Sequence, residues 1–393
     1  MLRVLTLSTL FPDMMRSTFG SFVESQSLAL ANHRDIELRV VAPVGIPPLG
    51  RFHPRYRGLA KLPPAETWKG LSTYRIPFRH TPWVGGEADA RALVRALRAP
   101  LHDIRAAFPF DIIDAQFFWP DGPAAVALGR EFGVPVSIKA RGADIHYWGR
   151  NRATAAQVIA AAHAADGLLA VSAALKADMV ALGMPEDRIC IHYTGIDKNV
   201  FAVRDRAAVK AALGIHGPLI VTVGALIERK GQRLVIDALL ALPDATLVLI
   251  GKGEDEVKLK KRAVALGVAD RVRFLGVRHP SVVADWLAAA DVMALPSASE
   301  GLANAWVEAL ASGTPVVTCD VGGARELFSR SAGGKLVERD PIHVAAAISS
   351  LLADPPSREI VAARVERLSW QASAAVLYEH LSGLVASSRE RPI

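Results

Sequence analysis

The sequence predicts an α/β fold in which two domains each form a doubly wound parallel sheet with helices on both faces. A chain of 393 residues is longer than one ordinary hydrophobic core accommodates. Short apolar runs alternate with helical patterns from end to end, as expected for βαβ units. Near residues 197–217 a charged stretch and a Gly-Pro breaker cluster indicate the boundary between the two domains.

Short apolar runs bounded by turn residues predict the strands, because a parallel strand covered on both faces is apolar throughout. In the first domain the runs are Leu2–Leu7, Ile36–Ala42, Ile112–Ala115, Val134–Lys139, Gly167–Val171 and Arg188–His192. In the second domain they are Leu219–Val223, Thr246–Ile250, Val272–Leu275, Val292–Leu295 and Val316–Cys319. The first series is assigned to residues 1–198 and the second to residues 199–369.

Apolar residues between these runs recur at helical spacing. The predicted helices are Phe22–Asn32, Ala153–Ala165, Leu234–Ala241, Glu256–Leu266 and Pro280–Ala289. Residues 43–86 are rich in Pro, Gly, Arg and aromatic side chains, so this stretch is predicted to be irregular.

The amino-acid composition limits the kinds of ligand and the cellular location expected for this chain. Hydrophobic residues make up 51% of the chain and charged residues 22%, which is typical of a globular protein. The net charge of +7 suits an anionic substrate or an anionic membrane surface, and the lack of a long basic block argues against nucleic acid. No signal peptide or spanning segment is recognised. We therefore expect a cytoplasmic protein, with peripheral contact at the inner face of the plasma membrane as a hypothesis, and two buried free thiols, Cys190 and Cys319.

Two carboxylates, Glu300 and Glu308, stand with seven residues between them. Glu300 falls in a turn after an apolar run, and Glu308 falls inside a predicted helix. Residues 299–301 are predicted to cap that helix, and residues 313–315 to end it. Asn304 lies one helical turn before Glu308 on the same face. Because a helix N-terminus favours phosphate, the segment offers an anion site between groups that accept hydrogen bonds from hydroxyls. A sugar joined to a nucleoside through a diphosphate needs these features in one place.

This segment, with the Gly313-Thr-Pro entry into the next strand, resembles the glutamate-x7-glutamate signature of retaining, nucleotide-sugar-dependent glycosyltransferases of family 4. A looser similarity extends from Val4 to about Tyr378. The resemblance implies the GT-B fold, in which two Rossmann-like domains have a cleft between them. It also implies that a final helix, at about residues 370–393, crosses back onto the first domain.

The resemblance implies roles for the residues of the signature. Glu300 would meet hydroxyls of the donor sugar, and Glu308 would meet the ribose. The backbone between them would contact the sugar and the diphosphate; its residues are Gly301, Leu302, Ala303 and Asn304.

The loop from Gly224 to Gly231 lies between a predicted strand and a predicted helix, where open α/β sheets bind ligands. Lys230 matches a family lysine that would neutralise the leaving diphosphate. The family arginine is replaced by Ala225, so Arg229 is either its substitute or an ordinary surface arginine.

Further similar segments extend the predicted donor site. Gly251 and Gly253 resemble the family's glycine-x-glycine turn facing the nucleotide, and a plain βα turn is the alternative. Arg278 ends a segment similar to the one whose backbone pairs with the base. In the first domain, Gly20 resembles the glycine of the loop that closes over the diphosphate, and a simple helix-entry glycine is the alternative.

Arg141 and Asp144 lie in a turn similar to the family's histidine-glycine-x-aspartate turn, with Arg141 in place of the histidine. Arg141 would contact the donor or the acceptor. Asp144 would either receive an acceptor hydroxyl or fix the turn through its backbone N–H groups.

Arginines at helical spacing accompany an apolar stripe between residues 91 and 105. The basic positions are Arg91, Arg95, Arg98 and Arg105, and the stripe is Leu93, Leu97, Leu101 and Ile104. Such a helix can rest on an anionic bilayer, and the alternative is a core stripe with a solvated basic rim.

The implied activity is transfer of a hexosyl unit from a nucleotide diphosphate sugar to a glycan or polyprenyl-diphosphate-linked glycan, with retention of the anomeric configuration. The resemblance favours enzymes of bacterial exopolysaccharide or other surface glycans. No Asp-x-Asp follows a strand and the histidines lack metal spacing, so neither a metal nor a cofactor is predicted. Three alternatives remain: an inverting GT-B transferase with Asp144 as base, a pyridoxal-phosphate-dependent phosphorylase of the same fold, and a two-lobed sugar-binding protein.

Overall fold

The computed structural model describes residues 1–81, 86–328 and 333–390. The chain forms two units, and each has its own sheet. Unit 1 comprises Met1–Gly195 and the C-terminal segment that begins at Trp370, and unit 2 comprises Ile196–Ser369. The backbone thus passes from one unit to the other twice.

Unit 1 is built on an eight-stranded sheet. Its strands, with the separate pair β3 and β6, are β1 (Leu2–Leu7), β2 (Ile36–Val41), β3 (Val44–Ile46), β4 (Ala65–Trp68), β5 (Leu71–Tyr74), β6 (Pro77–Arg79), β7 (Ile112–Ala115), β8 (Val136–Ala140), β9 (Gly167–Ala170) and β10 (Ile189–Ile191). The strand order is β10-β9-β8-β7-β1-β2-β5-β4, and only the β4–β5 pair is antiparallel. The loops after β1, β2, β7 and β8 therefore leave the same edge of the sheet.

Helices cover this sheet, and a π-helical turn, Asp144–Trp148, follows β8. They are α1 (Ser21–Ala31), α2 (Pro54–Arg57), α3 (Asp89–Ala107), α4 (Asp121–Phe132), α5 (Ala155–Ala164) and α6 (Ala173–Ala181). Short 3₁₀ turns at Gly50–Phe52 and Leu59–Lys61 flank α2.

Unit 2 has a six-stranded parallel sheet in the order β13-β12-β11-β14-β15-β16. Its strands are β11 (Leu219–Val223), β12 (Thr246–Ile250), β13 (Val272–Gly276), β14 (Val292–Leu295), β15 (Val316–Cys319) and β16 (Gly334–Val337). Its helices are α7 (Arg206–Ala212), α8 (Gln232–Ala238), α9 (Glu256–Ala265), α10 (Pro280–Ala289), α11 (Asn304–Ala311), α12 (Ala324–Phe328), α13 (Pro341–Ala353) and α14 (Arg358–Ala363).

The last helix, α15 (Trp370–Arg389), belongs to unit 1 and packs on α1. Its buried residues Leu377, Leu381 and Val385 join a core that includes Val23 and Leu30 of α1. The return of the final helix to the first domain, implied by the family resemblance, is thus seen in the structure.

The eleven predicted strands all form, and six keep their predicted bounds. The prediction that residues 43–86 are irregular is wrong in part, because the strands β3 to β6 and helix α2 lie within that stretch. Residues 82–85 lie outside the described part of the chain. Cys190 is exposed on the edge strand β10, so only Cys319 fits the prediction of a buried thiol.

The apolar stripe of α3 faces the protein interior. Its residues Leu93, Leu97, Leu101 and Ile104 are all buried. A bilayer cannot be bound by a stripe that already packs in the core, so the hypothesis that α3 rests its apolar face on a membrane is wrong. The alternative, a core stripe with a basic rim, is the observed one.

Candidate active site

The predicted donor residues of unit 2 collect where the strand order of its sheet reverses. β11 pairs with β12 on one side and with β14 on the other, and all three strands are parallel. The strand order therefore continues from β11 through β12 and β13 to one edge of the sheet, and from β11 through β14 and β15 towards the other. In open α/β sheets the loops at such a switch point separate and leave a crevice for a ligand. Here the two loops are the one from β11 to α8 and the one from β14 to α11.

Lys230 and Glu300 meet at this point although they are far apart in sequence. Lys230 ends a 3₁₀ turn after β11, and Glu300 follows β14. The Lys230 ammonium donates to the Glu300 carboxylate across 2.5 Å, and the Arg229 guanidinium lies 3.6 Å from the other carboxylate oxygen. The side chains of Lys230 and Glu300 are 14% and 9% exposed, so the pair is shielded yet reachable. Three residues predicted to be catalytic therefore form one cluster.

Main-chain contacts fasten the two loops to each other. The amide of Ala298 donates to the carbonyl of Arg229 across 2.8 Å. The Arg229 side chain donates in turn to the carbonyl of Ser299. Arg229, in the loop after β11, is thus hydrogen-bonded to the turn that contains Glu300. That it takes over the function of the missing family arginine stays a prediction.

A third loop, which follows β15, supports the same turn. The amide of Gly323 donates to the carbonyl of Gly301 across 2.7 Å. Gly322 has φ 51°, and a Cβ at this position would lie 2.0 Å from the Glu300 carbonyl oxygen. Only glycine allows this close approach. The two glycines follow a predicted strand, but sequence reasoning did not connect them with Glu300.

Helix α11 begins at Asn304, with Ala303 as its N-terminal flanking residue. No side chain caps it, so the prediction that residues 299–301 cap this helix is wrong. Leu302 and Ala303 are buried, while Asn304 is partly exposed. The first amides of α11 are consequently left without a side-chain acceptor, as an incoming phosphate or hydroxyl would require.

Glu308 lies inside α11, as predicted. Burial raises the pKa of its carboxyl to about 7. Within residues 1–81, 86–328 and 333–390 no side chain or backbone N–H donates to this carboxyl. A partly exposed carboxyl with unused acceptor capacity can accept hydrogen bonds from ligand hydroxyls.

The remaining predicted donor residues of unit 2 lie along the same edge of the sheet. Gly224 follows β11, and its amide donates to Ile250, the last residue of β12. Gly251 and Gly253 follow β12 and pack against the loop that begins at Gly224. Arg278 is exposed just after β13, the strand beyond β12.

A pocket of about 450 Å³ lies beside the Arg229 side of the cluster. Its lining includes Glu254, Ala298 and Arg339. Arg339 donates to the carbonyl of Pro296 across 3.2 Å and to that of Glu228 across 2.8 Å, so it joins both loops of the switch point. Sequence reasoning missed Arg339 because it missed the short strand β16 that precedes it.

In unit 1, Gly20 begins α1 with φ 71°, and a Cβ there would lie 2.3 Å from the carbonyl oxygen of Leu10. Close packing and a left-handed backbone therefore require glycine at this helix entry. The predicted contact of Gly20 with the donor diphosphate stays a prediction.

Arg141 follows β8 and is held by neighbouring loops. It donates to the carbonyl of Gln116 across 2.9 Å and to the side chain of Gln26 across 3.2 Å, and its guanidinium stacks 4.6 Å above the Phe22 ring. Burial lowers its pKa to about 10, so it remains cationic at neutral pH. Its predicted contact with donor or acceptor stays a prediction.

Asp144 is fully buried and fixes the turn after β8. Its carboxylate accepts from the amides of Arg141, Gly142 and Phe118 at 2.9, 2.8 and 3.1 Å. Burial nevertheless raises its pKa above the usual value for aspartate. Of the two roles left open by the sequence, fixing the turn is the one these contacts support.

The sequence did not predict a role for a buried lysine in β8, two residues before Arg141. Lys139, the penultimate residue of β8, is within 2.8 Å of the Gln26 side chain and 2.9 Å of His192 Nδ1. His192 Nε2 in turn lies 2.9 Å from the carbonyl of Ser373 in α15. Burial lowers the pKa values of both Lys139 and His192 well below their ordinary values. This network connects the ligand edge of unit 1 with the final helix.

Comparison with known proteins decides the family. The model for "Glycosyl transferase 4-like domain" matches residues 20–195, and that for "Glycosyl transferases group 1" matches residues 205–367. The D-inositol 3-phosphate glycosyltransferase of Xylanimonas cellulosilytica is 30% identical over 355 residues, which cover 80% of this chain and 79% of that protein. The chain belongs to glycosyltransferase family 4.

This glycosyltransferase is also similar to a second curated relative and to a solved structure. The lipopolysaccharide core biosynthesis glycosyltransferase LpsE of Rhizobium meliloti is 36% identical over 180 residues, about half of each chain (46% and 51%). The structure of HepE from Anabaena, solved in complex with UDP-glucose, superimposes with a TM-score of 0.74 and 20% identity over 98% of this chain and all of that one. The GT-B fold and the assignment to the transferases are confirmed.

Two other features of the glycosyltransferase bear on partners. Among the described residues, no helix is both long and apolar enough to cross a bilayer. On the surface of unit 2, Glu338, Asp340 and His343 bring ligand atoms within 4.8 Å of one another. His343 already pairs with Asp340, so a solvated ion-pair cluster accounts for this group.

Proposed function

We propose that this glycosyltransferase moves a hexosyl unit from a nucleotide diphosphate sugar to a glycan hydroxyl with retention of the anomeric configuration. One observation carries the proposal: Lys230 and Glu300 are in contact at the switch point of unit 2. A cation for the diphosphate and a carboxylate for sugar hydroxyls are needed side by side where the sugar joins the phosphate.

Lys230 would stabilise the leaving diphosphate. A lysine ammonium has three N–H donors, and one of them binds Glu300, so two remain for phosphate oxygens. Arg229, which is 41% exposed, would add a second cation on the same side. Groups already held in place lose little energy in reorganising when charge develops on the leaving group.

Glu300 would position the sugar. Its carboxylate lies beside two cations and keeps acceptor capacity for hydrogen bonds from the sugar hydroxyls. In the transfer step the bond from the anomeric carbon to the diphosphate oxygen breaks, and a bond to the acceptor oxygen forms on the same face. The acceptor proton passes to the departing diphosphate. Neither a metal ion nor a cofactor takes part in this proposal.

The inverting alternative needs a general base, and Asp144 was its candidate. The Asp144 carboxylate is fully buried and is already bonded to three amides, which favours the retaining reaction instead. Determination of the product anomer by NMR distinguishes the two reactions directly.

For the acceptor we propose a glycan or a polyprenyl-diphosphate-linked glycan of bacterial polysaccharide biosynthesis, with unit 1 binding it. The similarity to LpsE, which is described as acting in lipopolysaccharide core biosynthesis, supports this class. HepE in complex with UDP-glucose supports a nucleotide sugar as donor. A cytoplasmic enzyme in peripheral contact with the inner face of the plasma membrane would meet both substrates.

The test is substitution of the central pair. Glu300→Gln and Lys230→Ala are each expected to lower the rate of donor turnover by about a hundredfold to a thousandfold, the range for loss of one group that stabilises developing charge. Turnover is measured as release of the nucleotide diphosphate from a panel of nucleotide sugars. Melting temperatures show whether each variant is folded.

Another ion pair in unit 2 provides the matched control. Glu256 and Lys260 form an exposed pair on α9, with 2.6 Å between the charged atoms. Glu256→Gln and Lys260→Ala are expected to retain the rate of the unsubstituted enzyme. If Glu300→Gln and Lys230→Ala retain it too, the site is assigned wrongly.

A further inference from the structure

Four large apolar side chains are exposed to solvent on unit 1. Met14 and Met15 lie in the turn region after β1, and Leu49 and Phe52 lie in the turn that follows β3. Their exposed fractions are 71%, 59%, 75% and 69%. Single exposed apolar residues are common, but a cluster of this kind marks an interaction surface.

The two segments contact each other. A Cβ built on Gly58 would lie 2.7 Å from the Met15 Cε atom, so Met15 packs directly on the segment that contains α2. The amide of Phe52 donates to the Leu49 carbonyl across 2.9 Å, and α2 packs on this turn. Met15 and the Leu49–Phe52 turn therefore both pack against the Pro54–Gly58 segment, and Met14 is the chain neighbour of Met15.

The backbone of Leu49 is strained. Its φ angle is 60°, a left-handed conformation that bulky L-residues rarely adopt. Strain of this kind persists where the surrounding structure enforces it, and it concentrates at functional sites. In this case it accompanies a leucine side chain that is three-quarters exposed.

The surface is basic as well as apolar. Arg51, Arg57 and Lys61 are exposed, and the Arg51 guanidinium lies 4.8 Å above the Phe52 ring. Neither Arg57 nor Lys61 has an ion-pair partner among the described residues. From residue 38 to residue 65 the sequence contains no Asp or Glu. Asp13, the acidic residue in the adjoining turn, is buried and paired with Arg16.

We propose that this apolar–basic surface docks the protein on an anionic lipid bilayer. The surface consists of Met14, Met15, Leu49 and Phe52 with Arg51, Arg57 and Lys61. The inference rests on the membrane contact included in the proposed function, and it assigns that contact to particular residues.

Charge and chemistry together favour a bilayer as the occupant. Cations without acidic neighbours attract anionic headgroups, and long apolar side chains insert below the headgroup level. In α3, another basic helix of unit 1, the large apolar side chains of the stripe are buried in the core and cannot insert. The Met14–Met15 segment also follows the carboxyl end of β1, a strand of the main sheet, where α/β domains bind ligands. An acceptor held in the bilayer would thus be presented to the ligand edge of unit 1.

Co-sedimentation of the 393-residue protein with lipid vesicles, in the absence of donor, tests the proposal. Binding is expected to vesicles of mixed phosphatidylglycerol and phosphatidylcholine but not to phosphatidylcholine alone, and it should weaken as salt is added. Leu49→Ser/Phe52→Ser is expected to lower the partition coefficient by about tenfold or more, because two inserted side chains are lost. Arg57→Ser/Lys61→Ser should lower it by about fivefold per cation.

The control is Ile342→Ser/Ile360→Ser, which removes two exposed apolar side chains from unit 2 and should bind as the unsubstituted protein does. Hydrogen exchange on vesicles should protect amides of residues 49–61 and leave those of α3 unchanged. The inference is overturned if the unsubstituted protein ignores anionic vesicles, or if Leu49→Ser/Phe52→Ser binds them equally well. It is also overturned if that double variant converts a dimer to a monomer in light scattering, because the surface would then bind a second copy.

The readout separates this inference from the proposed function. Vesicle binding needs no turnover, and nucleotide release is measured without vesicles. If the enzyme turns over donor but does not bind lipid vesicles, only the proposed docking surface is refuted. A protein that binds lipid through these residues and turns over no donor would refute only the transferase reaction as proposed.

Discussion

Glu308 is the residue whose ionisation should report donor binding. Burial raises the pKa of its carboxyl to about 7, so in the free protein it is protonated below that pH. Hydrogen bonds from ribose hydroxyls stabilise the ionised form and would lower the pKa in the complex. Nucleotide binding should therefore release a proton near neutral pH, and affinity should fall as pH decreases from about 8 to about 6.

Calorimetry in two buffers with different ionisation enthalpies measures this proton release. UDP and GDP are titrated into the unsubstituted protein and into Glu308→Gln, which cannot ionise at this position. Titration of the nucleotide phosphate is common to both proteins, so the difference between their pH profiles belongs to Glu308. Equal proton release by the two proteins would exclude a contact between Glu308 and the ribose.

At the residue scale, the residue types of the proposed donor site were predictable from the sequence, and their arrangement was predictable only in part. The spacing of Glu300 and Glu308 and the position of Lys230 after a strand identify acidic and basic groups of one site. The salt bridge between Lys230 and Glu300 depends on β11 and β14 being neighbours, which no local pattern encodes. Arg339 could not be found, because its role depends on main-chain carbonyls of two distant loops.

At the scale of elements, the turn after β15 holds the Glu300 loop in place. A Cβ on Gly322 would overlap the Glu300 carbonyl oxygen, so Gly322→Ala should displace the Glu300 turn. We expect the variant to fold and to lose at least about tenfold in turnover, since displacement by roughly an ångström costs that much or more. Gly214→Ala provides the control, because Gly214 also has a positive φ, of 64°, and nothing lies within 4 Å of its Cβ position.

Kinetics and melting curves of the two variants separate displacement from backbone strain. Both substitutions force alanine into a left-handed conformation, at a cost of about 1 kcal/mol in stability. Only Gly322→Ala should also reduce turnover. Equal activity of the two variants would show that the Gly322 contact does not position Glu300.

Mostly apolar strands were predictable, and strands with an alternating or weakly apolar pattern were not. The strands β1, β7, β11, β12, β14 and β15 match their predicted bounds because apolar residues make up most of each run. β5 alternates buried and exposed residues, and β16 contains only two large apolar residues, so neither shows that signal. The sequence rule that predicted a side-chain cap for α11 also fails, at the proposed donor site, where uncapped amides could bind a ligand.

At the scale of the whole molecule, the final helix α15 packs on elements from the first half of the chain, so unit 1 contains both ends of the sequence. α15 packs on α1, and His380 on α15 places Nε2 2.9 Å from the Ser137 hydroxyl of β8. A helical pattern can predict α15 itself, but its partner surface is supplied by segments more than two hundred residues earlier. Only the resemblance to a family, and no periodicity in the sequence, indicated where this helix returns.

Docking of α15 should make unit 1 sensitive to acid. Burial lowers the pKa of His380 to about 4 from an ordinary value of 6.5. Between these values the unfolded chain binds a proton that the folded one excludes, so stability is full above about pH 6.5 and decreases as pH falls towards about 4. His380→Gln keeps a hydrogen-bonding side chain without a titrating group, and its melting temperature should fall less than that of the unsubstituted protein between those pH values. His216→Gln, at an exposed position in unit 2, should keep the full decrease. If His380→Gln loses stability in acid as steeply as the His216 control does, protonation of His380 does not drive the release of α15.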